Sequence, residues 1–233
     1  MDAVAAATIA EDSFGKVIAT PDAAVAEIKD GATIMVAGFG DSGFPSALRD
    51  ALGRRRLRDL TVIANNGNFE CLVYEGGLRR LICSYPIGQG TAPAVRRAIE
   101  EGRIELLLTP QGTLIEQIRA AAAGLGGVLT PTAVGTELAA HFDVLHCNGR
   151  DFVLAPALHA DVALVRAHIG DHAGNLRCRL AARNFNPVMA MAASHTIAQV
   201  DHLVPVGALD PDSVHIPSPF VDRMVVVPRL AEG

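Results

Sequence analysis

Short runs of consecutive apolar residues alternate with helix-like segments along this chain, and the alternation strongly limits the possible folds. Such runs are typical of strands that are buried on both faces. We expect strands at residues 33–37, 61–64, 81–83, 105–108, 161–167, 175–179, 196–201 and 223–227. Helices between them are indicated by first-turn prolines such as Pro45 and by terminal glycines such as Gly124. The sequence therefore predicts an α/β fold with an open, mainly parallel sheet and helices on both faces.

The alternation is lost only at residues 130–149, which we interpret as an excursion from the sheet. The length of 233 residues fits one large domain or two small ones, and no internal repeat is visible. We therefore expect a single domain over residues 16–233, preceded by an N-terminal extension of residues 1–15.

Composition and charge exclude several classes of protein. The 25 acidic residues outnumber the 20 basic ones and tryptophan is absent, which argues against nucleic-acid binding. The N-terminus lacks a basic segment, and the longest uncharged run, residues 120–136, is broken by glycines and a proline, so we expect neither a signal peptide nor a membrane span. The four cysteines have no metal-ligand spacing. These features predict a cytoplasmic protein with reduced thiols and no bound metal.

A glycine-rich segment, GFGDSG at residues 38–43, follows the first of these predicted strands that is followed by a helix. Its GxGxxG spacing is compatible with dinucleotide binding, which also needs an acid at the end of the next strand. That strand ends in Asn65 and Asn66 instead. Two other interpretations stay open: a turn that only lets strand and helix pack closely, or backbone N–H groups that approach an anionic substrate at a helix start.

Polar side chains also follow the neighbouring predicted strands. Gln111 lies in TPQGT, just beyond the strand at residues 105–108. A neutral amide at this position can donate a hydrogen bond to an oxyanion, although it can equally cap a loop. Asn65 and Asn66 present the same alternatives, since asparagine is common in turns.

Several segments taken in order resemble the alpha (A) subunits of the family I coenzyme A transferases, in particular those acting on 3-oxoadipate or other 3-oxo acids. The segments that carry the resemblance are residues 30–45 (DGATIMVAGFGDSGFP), 63–66 (IANN), 83–86 (CSYP), 108–124 (LTPQGTLIEQIRAAAAG), 130–136 (TPTAVGT), 148–154 (NGRDFVL) and 161–185 (DVALVRAHIGDHAGNLRCRLAARNF). The resemblance covers nearly all of residues 16–228.

The resemblance implies a ping-pong transfer of CoA from an acyl-CoA, such as succinyl-CoA, to a 3-oxo acid. In this scheme a glutamate attacks the thioester and then carries CoA as a glutamyl thioester. The glutamate belongs to a beta subunit, whereas this chain lacks the corresponding Ser-Glu-Asn-Gly-like motif. The CoA thioester is a substrate, so no cofactor is expected, and a hetero-oligomer is.

The same resemblance assigns roles to individual residues. Gln111 matches the glutamine that helps to form the oxyanion hole. The glycine segment, with Phe39, matches the loop that lines the shared site, so Gly38, Phe39, Gly40 and Gly43 are candidate substrate-binding residues together with the two asparagines at positions 65 and 66. Two departures from the pattern are Ala37, where a glycine is usual, and the segment that follows Pro86.

Two other functions remain as alternatives. The first is a non-catalytic module of the same fold that binds an acyl-CoA or a carboxylate. The second, a nucleotide-dependent oxidoreductase, depends only on the GxGxxG spacing.

Overall fold

The computed structural model describes residues 14–86 and 92–228. The strands in this part of the chain are β1 (Val17–Ile18), β2 (Thr33–Val36), β3 (Leu60–Asn66), β4 (Leu78–Tyr85), β5 (Glu105–Leu108), β6 (Gly127–Thr130), β7 (Asp143–Cys147), β8 (Arg150–Pro156), β9 (Ala160–Asp171), β10 (Leu176–Arg177), β11 (Ala193–Val204) and β12 (Arg223–Val226). The helices are α1 (Pro21–Ala24), α2 (Ser46–Arg54), α3 (Pro93–Glu100), α4 (Gln111–Ala122) and α5 (Asn186–Ala192).

The main sheet has nine strands, eight of them in the order β1-β12-β11-β9-β2-β3-β4-β5, with β10 paired to β9. All the pairings are parallel except that of β10 with β9. The chain proceeds from β2 outward through β3, β4 and β5, whereas β9, β11 and β12 extend the sheet in the other direction. Open α/β sheets bind ligands in the crevice at such a reversal, beyond the carboxyl ends of the strands.

Two apolar cores cover the two faces of the sheet, which confirms the predicted fold class. Successive residues of β2 alternate between the cores: Ile34 belongs to the core beneath α1, α2 and α3, and Met35 to the core beneath α4 and α5. Both side chains are fully buried. Burial of an aliphatic side chain of this size contributes about 1.5–3 kcal/mol, so the uninterrupted apolar runs stabilise both layers.

The excursion predicted at residues 130–149 belongs to a second sheet, which has three antiparallel strands in the order β6-β8-β7. Its inner face rests on the body of the protein through Val153 and Ala155, which are fully buried. Apolar side chains such as Leu145 and Leu154 are exposed on the other face. Because apolar residues lie on both faces, the period of two that marks a half-buried strand is masked, and these strands could not be recognised in the sequence.

Two predicted elements are shorter than expected. Thr20 caps α1 as predicted, accepting a hydrogen bond from the N–H of Ala23 at 3.2 Å, but the helix ends after one turn rather than at Gly31. The strand predicted at residues 175–179 is reduced to the two residues of β10. Both segments pack locally against larger elements, which override their own propensities.

Residues 1–13 of the predicted N-terminal extension lie outside the described residues, as do residues 87–91 of the segment after Pro86. No helix among the residues that are described is long and apolar enough to cross a membrane.

Candidate active site

The glycine segment forms a tight hairpin directly after β2. The backbone groups of Phe39 and Ser42 exchange two hydrogen bonds of 3.0 and 3.1 Å, leaving Gly40 and Asp41 as the two central residues. Gly40 has a φ of +57°, as the first central position of a type II′ turn requires. The side chain of Phe39 is 54% exposed beside this turn.

The two flanking glycines serve packing inside the chain. A Cβ atom on Gly38 would lie 2.9 Å from the Cα atom of Phe44, and one on Gly43 would lie 2.6 Å from the carbonyl oxygen of Ala182. Both residues also have positive φ. A Cβ atom on Gly40, by contrast, would meet no atom of the described chain within 4 Å.

A cleft of about 640 Å³ lies beyond the carboxyl ends of β2, β3 and β4, next to the start of α4. It brings together five of the seven residues predicted for the site: Phe39, Gly40, Asn65, Asn66 and Gln111. The other lining residues are Asp41, Gly67, Asn68, Ser84 and Tyr85. The two remaining predicted residues lie elsewhere, because Gly38 packs against Phe44 and Gly43 lines a neighbouring cleft.

Gln111 is the first residue of α4, a helix of twelve residues that follows Pro110. The first N–H groups of a helix lack partners within it, and the helix dipole places partial positive charge at this end. A negative charge that develops near Gln111 is therefore stabilised both by the side-chain amide and by the helix terminus.

The amide of Gln111 is held by the end of β3. Its Nε2 atom donates a hydrogen bond of 2.6 Å to Oδ1 of Asn65, and the hydroxyl of Ser84 donates one of 2.7 Å to the same oxygen. Asn65 is only 5% exposed. Within residues 14–86 and 92–228, the second hydrogen of Gln111 Nε2 has no acceptor, which leaves it available to a ligand.

Three side chains from the other half of the sheet hold the glycine segment by consecutive carbonyl oxygens. Asn184 donates to the carbonyl oxygen of Ser42 at 2.9 Å, and Asn186 donates to that of Gly43 at 3.1 Å. Arg166 reaches the carbonyl oxygen of Phe44 at 3.5 Å. The hairpin that borders the cleft is therefore fixed by β9 and by the start of α5.

The second cleft, of about 850 Å³, lies on the other side of the hairpin. At its base Asp201 of β11 pairs with Arg166 at 2.7 Å and with His168 at 3.2 Å. The i, i+4 pair of His168 and His172 therefore does not share a ligand: His168 faces a carboxylate and His172 lies in the following turn. No group of residues suited to a metal ion occurs in the part of the chain that the structure describes.

Potential nucleophiles are few in the first cleft. Asp41, at the tip of the hairpin, is the one carboxylate among its described lining residues. Cys83 lies next to Ser84 in β4, and burial raises the pKa of its thiol to about 12, so the thiolate is scarce at neutral pH. The cleft thus offers hydrogen-bond donors rather than an activated nucleophile.

Sequence reasoning missed Ser84, Asp41 and the polar side chains that fix the hairpin. Ser84 could have been found, since it directly follows the predicted strand at residues 81–83, as Asn65 follows its own strand. Arg166 and Asn186 could not, because only the pairing of β9 with β2 brings them to the glycine segment.

The fold and the cleft define a class of protein: an open α/β sheet with amide donors at the carboxyl ends of its central strands. The chain belongs to the Coenzyme A transferase family, which matches residues 18–227.

Two curated relatives and one solved structure illustrate the similarity. The chain is 48% identical over 213 residues to the alpha (A) subunit of the 3-oxoadipate CoA-transferase of Pseudomonas putida, covering 89% of this chain and 92% of the relative. It is 45% identical over 203 residues to the alpha subunit of the acetate CoA-transferase of Escherichia coli K12, covering 85% and 91%. The crystal structure of an acyl-CoA transferase from E. coli O157:H7, a thioester complex with CoA, superposes with a TM-score of 0.83 at 25% identity. The match covers 93% of this chain but only 48% of that one.

Proposed function

We propose that this chain is the alpha subunit of a CoA-transferase that moves CoA from an acyl-CoA, such as succinyl-CoA, to a 3-oxo acid of the 3-oxoadipate or acetoacetate type. The observation that carries the proposal is the amide of Gln111, which Asn65 holds at the N-terminus of α4 inside the cleft. Family membership and the names of the relatives support the reaction class.

The chemistry requires a stabilised oxyanion at each acyl step. A carboxylate attacks the thioester carbonyl of the acyl-CoA and expels CoA thiolate, which leaves a mixed anhydride on the enzyme. The thiolate then attacks the enzyme-derived carbonyl of the anhydride, releases the free acid and forms an enzyme–CoA thioester. A 3-oxo acid takes CoA through the reverse pair of steps. Each tetrahedral intermediate carries a negative oxygen, to which the free hydrogen of Gln111 Nε2 would donate.

The attacking carboxylate is proposed to come from a beta subunit. Asp41 is exposed at the hairpin tip, and no described side chain forms a hydrogen bond or ion pair with its carboxylate, as a positioned nucleophile needs. The chain matches relatives that are themselves single subunits of larger enzymes, and it matches only 48% of a longer acyl-CoA transferase chain; both facts support a second polypeptide that completes the site. In this scheme the CoA thioester is a substrate and no resident cofactor takes part.

The proposal is tested by assembling the chain with its candidate beta subunit, then supplying succinyl-CoA with a panel of 3-oxo acids. We expect formation of the 3-oxoacyl-CoA by the assembled pair, with 3-oxoadipate and acetoacetate among the accepted acids. Binding of acyl-CoA without any transfer would instead assign the chain to a non-catalytic binding module. Quenching of NADH fluorescence by the chain would revive the oxidoreductase alternative.

A further inference from the structure

The strongest polar contact outside the roles already assigned is the chain of two hydrogen bonds that ends at Gln111. Asn65 Oδ1 accepts from Ser84 Oγ at 2.7 Å and from Gln111 Nε2 at 2.6 Å. The three residues come from the ends of β3 and β4 and from the start of α4. The carbonyl oxygen of one buried amide thus sets the position of a second amide.

We propose that Ser84 and Asn65 are positioning residues, which fix the Gln111 amide with one N–H engaged and the other directed to the reacting oxygen. This inference rests on the proposed function, because Gln111 must be an oxyanion donor for its orientation to affect the rate. Neither residue needs to touch the reacting atoms.

Orientation matters because the ends of an amide are chemically opposite. The last torsion of a glutamine side chain is broad and nearly two-fold, so rotation readily exchanges its oxygen and nitrogen. An amide that presented its oxygen to an oxyanion would repel it, whereas one held by its nitrogen keeps a donor in place. A preorganised donor requires no reorganisation as charge develops.

The register of the main sheet explains why Ser84 can hold Asn65. Ala64 pairs with Cys83 and Asn66 pairs with Tyr85 in the parallel ladder of β3 and β4. Asn65 and Ser84 are therefore adjacent on the same face. The hydroxyl also lies 3.1 Å from the backbone carbonyl oxygen of Asn65, but its single hydrogen favours the shorter bond to Oδ1.

The kinetic test uses the assembled enzyme with Ser84→Ala, which removes the hydroxyl, and Ser84→Thr, which keeps it. We expect Ser84→Ala to lower kcat about tenfold with KM for the acyl-CoA within twofold, and Ser84→Thr to restore most of the loss. Ser213→Ala is the matched control, because that hydroxyl bonds only a local carbonyl oxygen on an exposed turn far along the chain. An unchanged kcat in Ser84→Ala would overturn the inference.

A double variant separates positioning from a structural role. If Ser84 acts only through Gln111, adding Ser84→Ala to Gln111→Ala should lower kcat no further than Gln111→Ala alone. Full multiplication of the two losses would show that Ser84 acts independently of Gln111.

A crystallographic comparison tests the inference even if the wild-type pair shows no transferase activity, an outcome that would count against the proposed function instead. We expect the wild-type full chain to show a single Gln111 conformer bonded to Asn65, and Ser84→Ala to show the amide displaced or in two orientations. An undisturbed Gln111 in Ser84→Ala, or no contact between Gln111 and Asn65 in the wild type, contradicts the positioning role.

Discussion

The Gln111 side chain combines two sources of positive potential, its own amide hydrogen and the N-terminus of α4. We predict that Gln111→Ala lowers the turnover of the assembled enzyme about 10²–10³-fold, the usual effect of losing one oxyanion donor, or about 3–4 kcal/mol. Folding should be preserved, because the side chain packs in no core. Steady-state kinetics and a thermal melt of the same preparation check both parts. Near wild-type turnover would return Gln111 to the role of a loop cap.

The glycines of the hairpin separate packing from ligand approach. Gly43→Ala should destabilise the fold by about 2–4 kcal/mol, because its Cβ atom would overlap the carbonyl oxygen of Ala182 at a positive φ. Gly40→Ala meets open space and should cost only the strain of its φ, about 1–2 kcal/mol. Since Gly40 lines the cleft, its variant should instead raise KM.

Denaturant unfolding and kinetics of the two glycine variants, measured side by side, check this contrast. If Gly40→Ala retains normal substrate kinetics, the tip of the hairpin does not contact the substrate. If Gly43→Ala is as stable as the wild type, the contact with Ala182 is not restrictive.

Much of the site could be predicted at the residue scale because polar residues directly follow buried strands in the sequence. This rule locates Asn65, Asn66 and Gln111 at one edge of the sheet, and the structure places them in one cleft. The same rule does not separate Gly43 from Gly40, because a clash with Ala182 depends on residues that are remote in sequence.

At the scale of elements, the contact of α5 with the glycine segment joins the two halves of the main sheet. Asn186 is fully buried; its side chain accepts a hydrogen bond from the backbone of Arg166 and donates to the carbonyl oxygens of Gly43 and Ala182. Asn186→Ala leaves these backbone groups unpaired and should destabilise the fold by about 2–4 kcal/mol. Met191→Ala, on the exposed side of the same helix, is the control and should have a small effect on stability.

Chemical denaturation of both variants measures this difference. Equal stabilities for the Asn186 and Met191 variants would show that the hydrogen bonds of Asn186 contribute little. We also expect Asn186→Ala to raise KM, since the hairpin beside the cleft loses one of its three attachments.

The elements of the main sheet could be predicted because strands buried on both faces are continuous apolar runs. The small sheet of β6, β7 and β8 could not, because Leu145 and Leu154 expose apolar side chains where the pattern requires polar ones. The order of the strands is also not written in local sequence: the neighbourhood of β2 and β9 depends on contacts between residues over 120 positions apart.

At the scale of the whole molecule, large apolar side chains surround the cleft. Phe39 is 54% and Tyr85 58% exposed, and both line it. Leu180, beside the second cleft, is exposed as well and has a positive φ of 49°. Exposed apolar groups clustered at a ligand cleft are typical of a surface that another protein covers.

We therefore predict that the chain without its partner has no transferase activity and tends to self-associate. Activity should appear when the beta subunit is added, in proportion to the complex formed. Sizing chromatography and assays of each chain alone and of the mixture check this prediction. Full activity of this chain by itself would require a nucleophile within it, with Asp41 as the first candidate.

The central claim is that this chain supplies the oxyanion donor while another polypeptide supplies the nucleophile. The most direct test is to incubate the assembled pair with succinyl-CoA, reduce the enzyme-bound thioester with borohydride and locate the modified carboxylate by peptide mass spectrometry. The account predicts that one glutamate of the beta subunit is modified while the alpha chain is not, in the wild type and in Asp41→Asn alike. Modification of a carboxylate in this chain, abolished by its own substitution, would contradict the account.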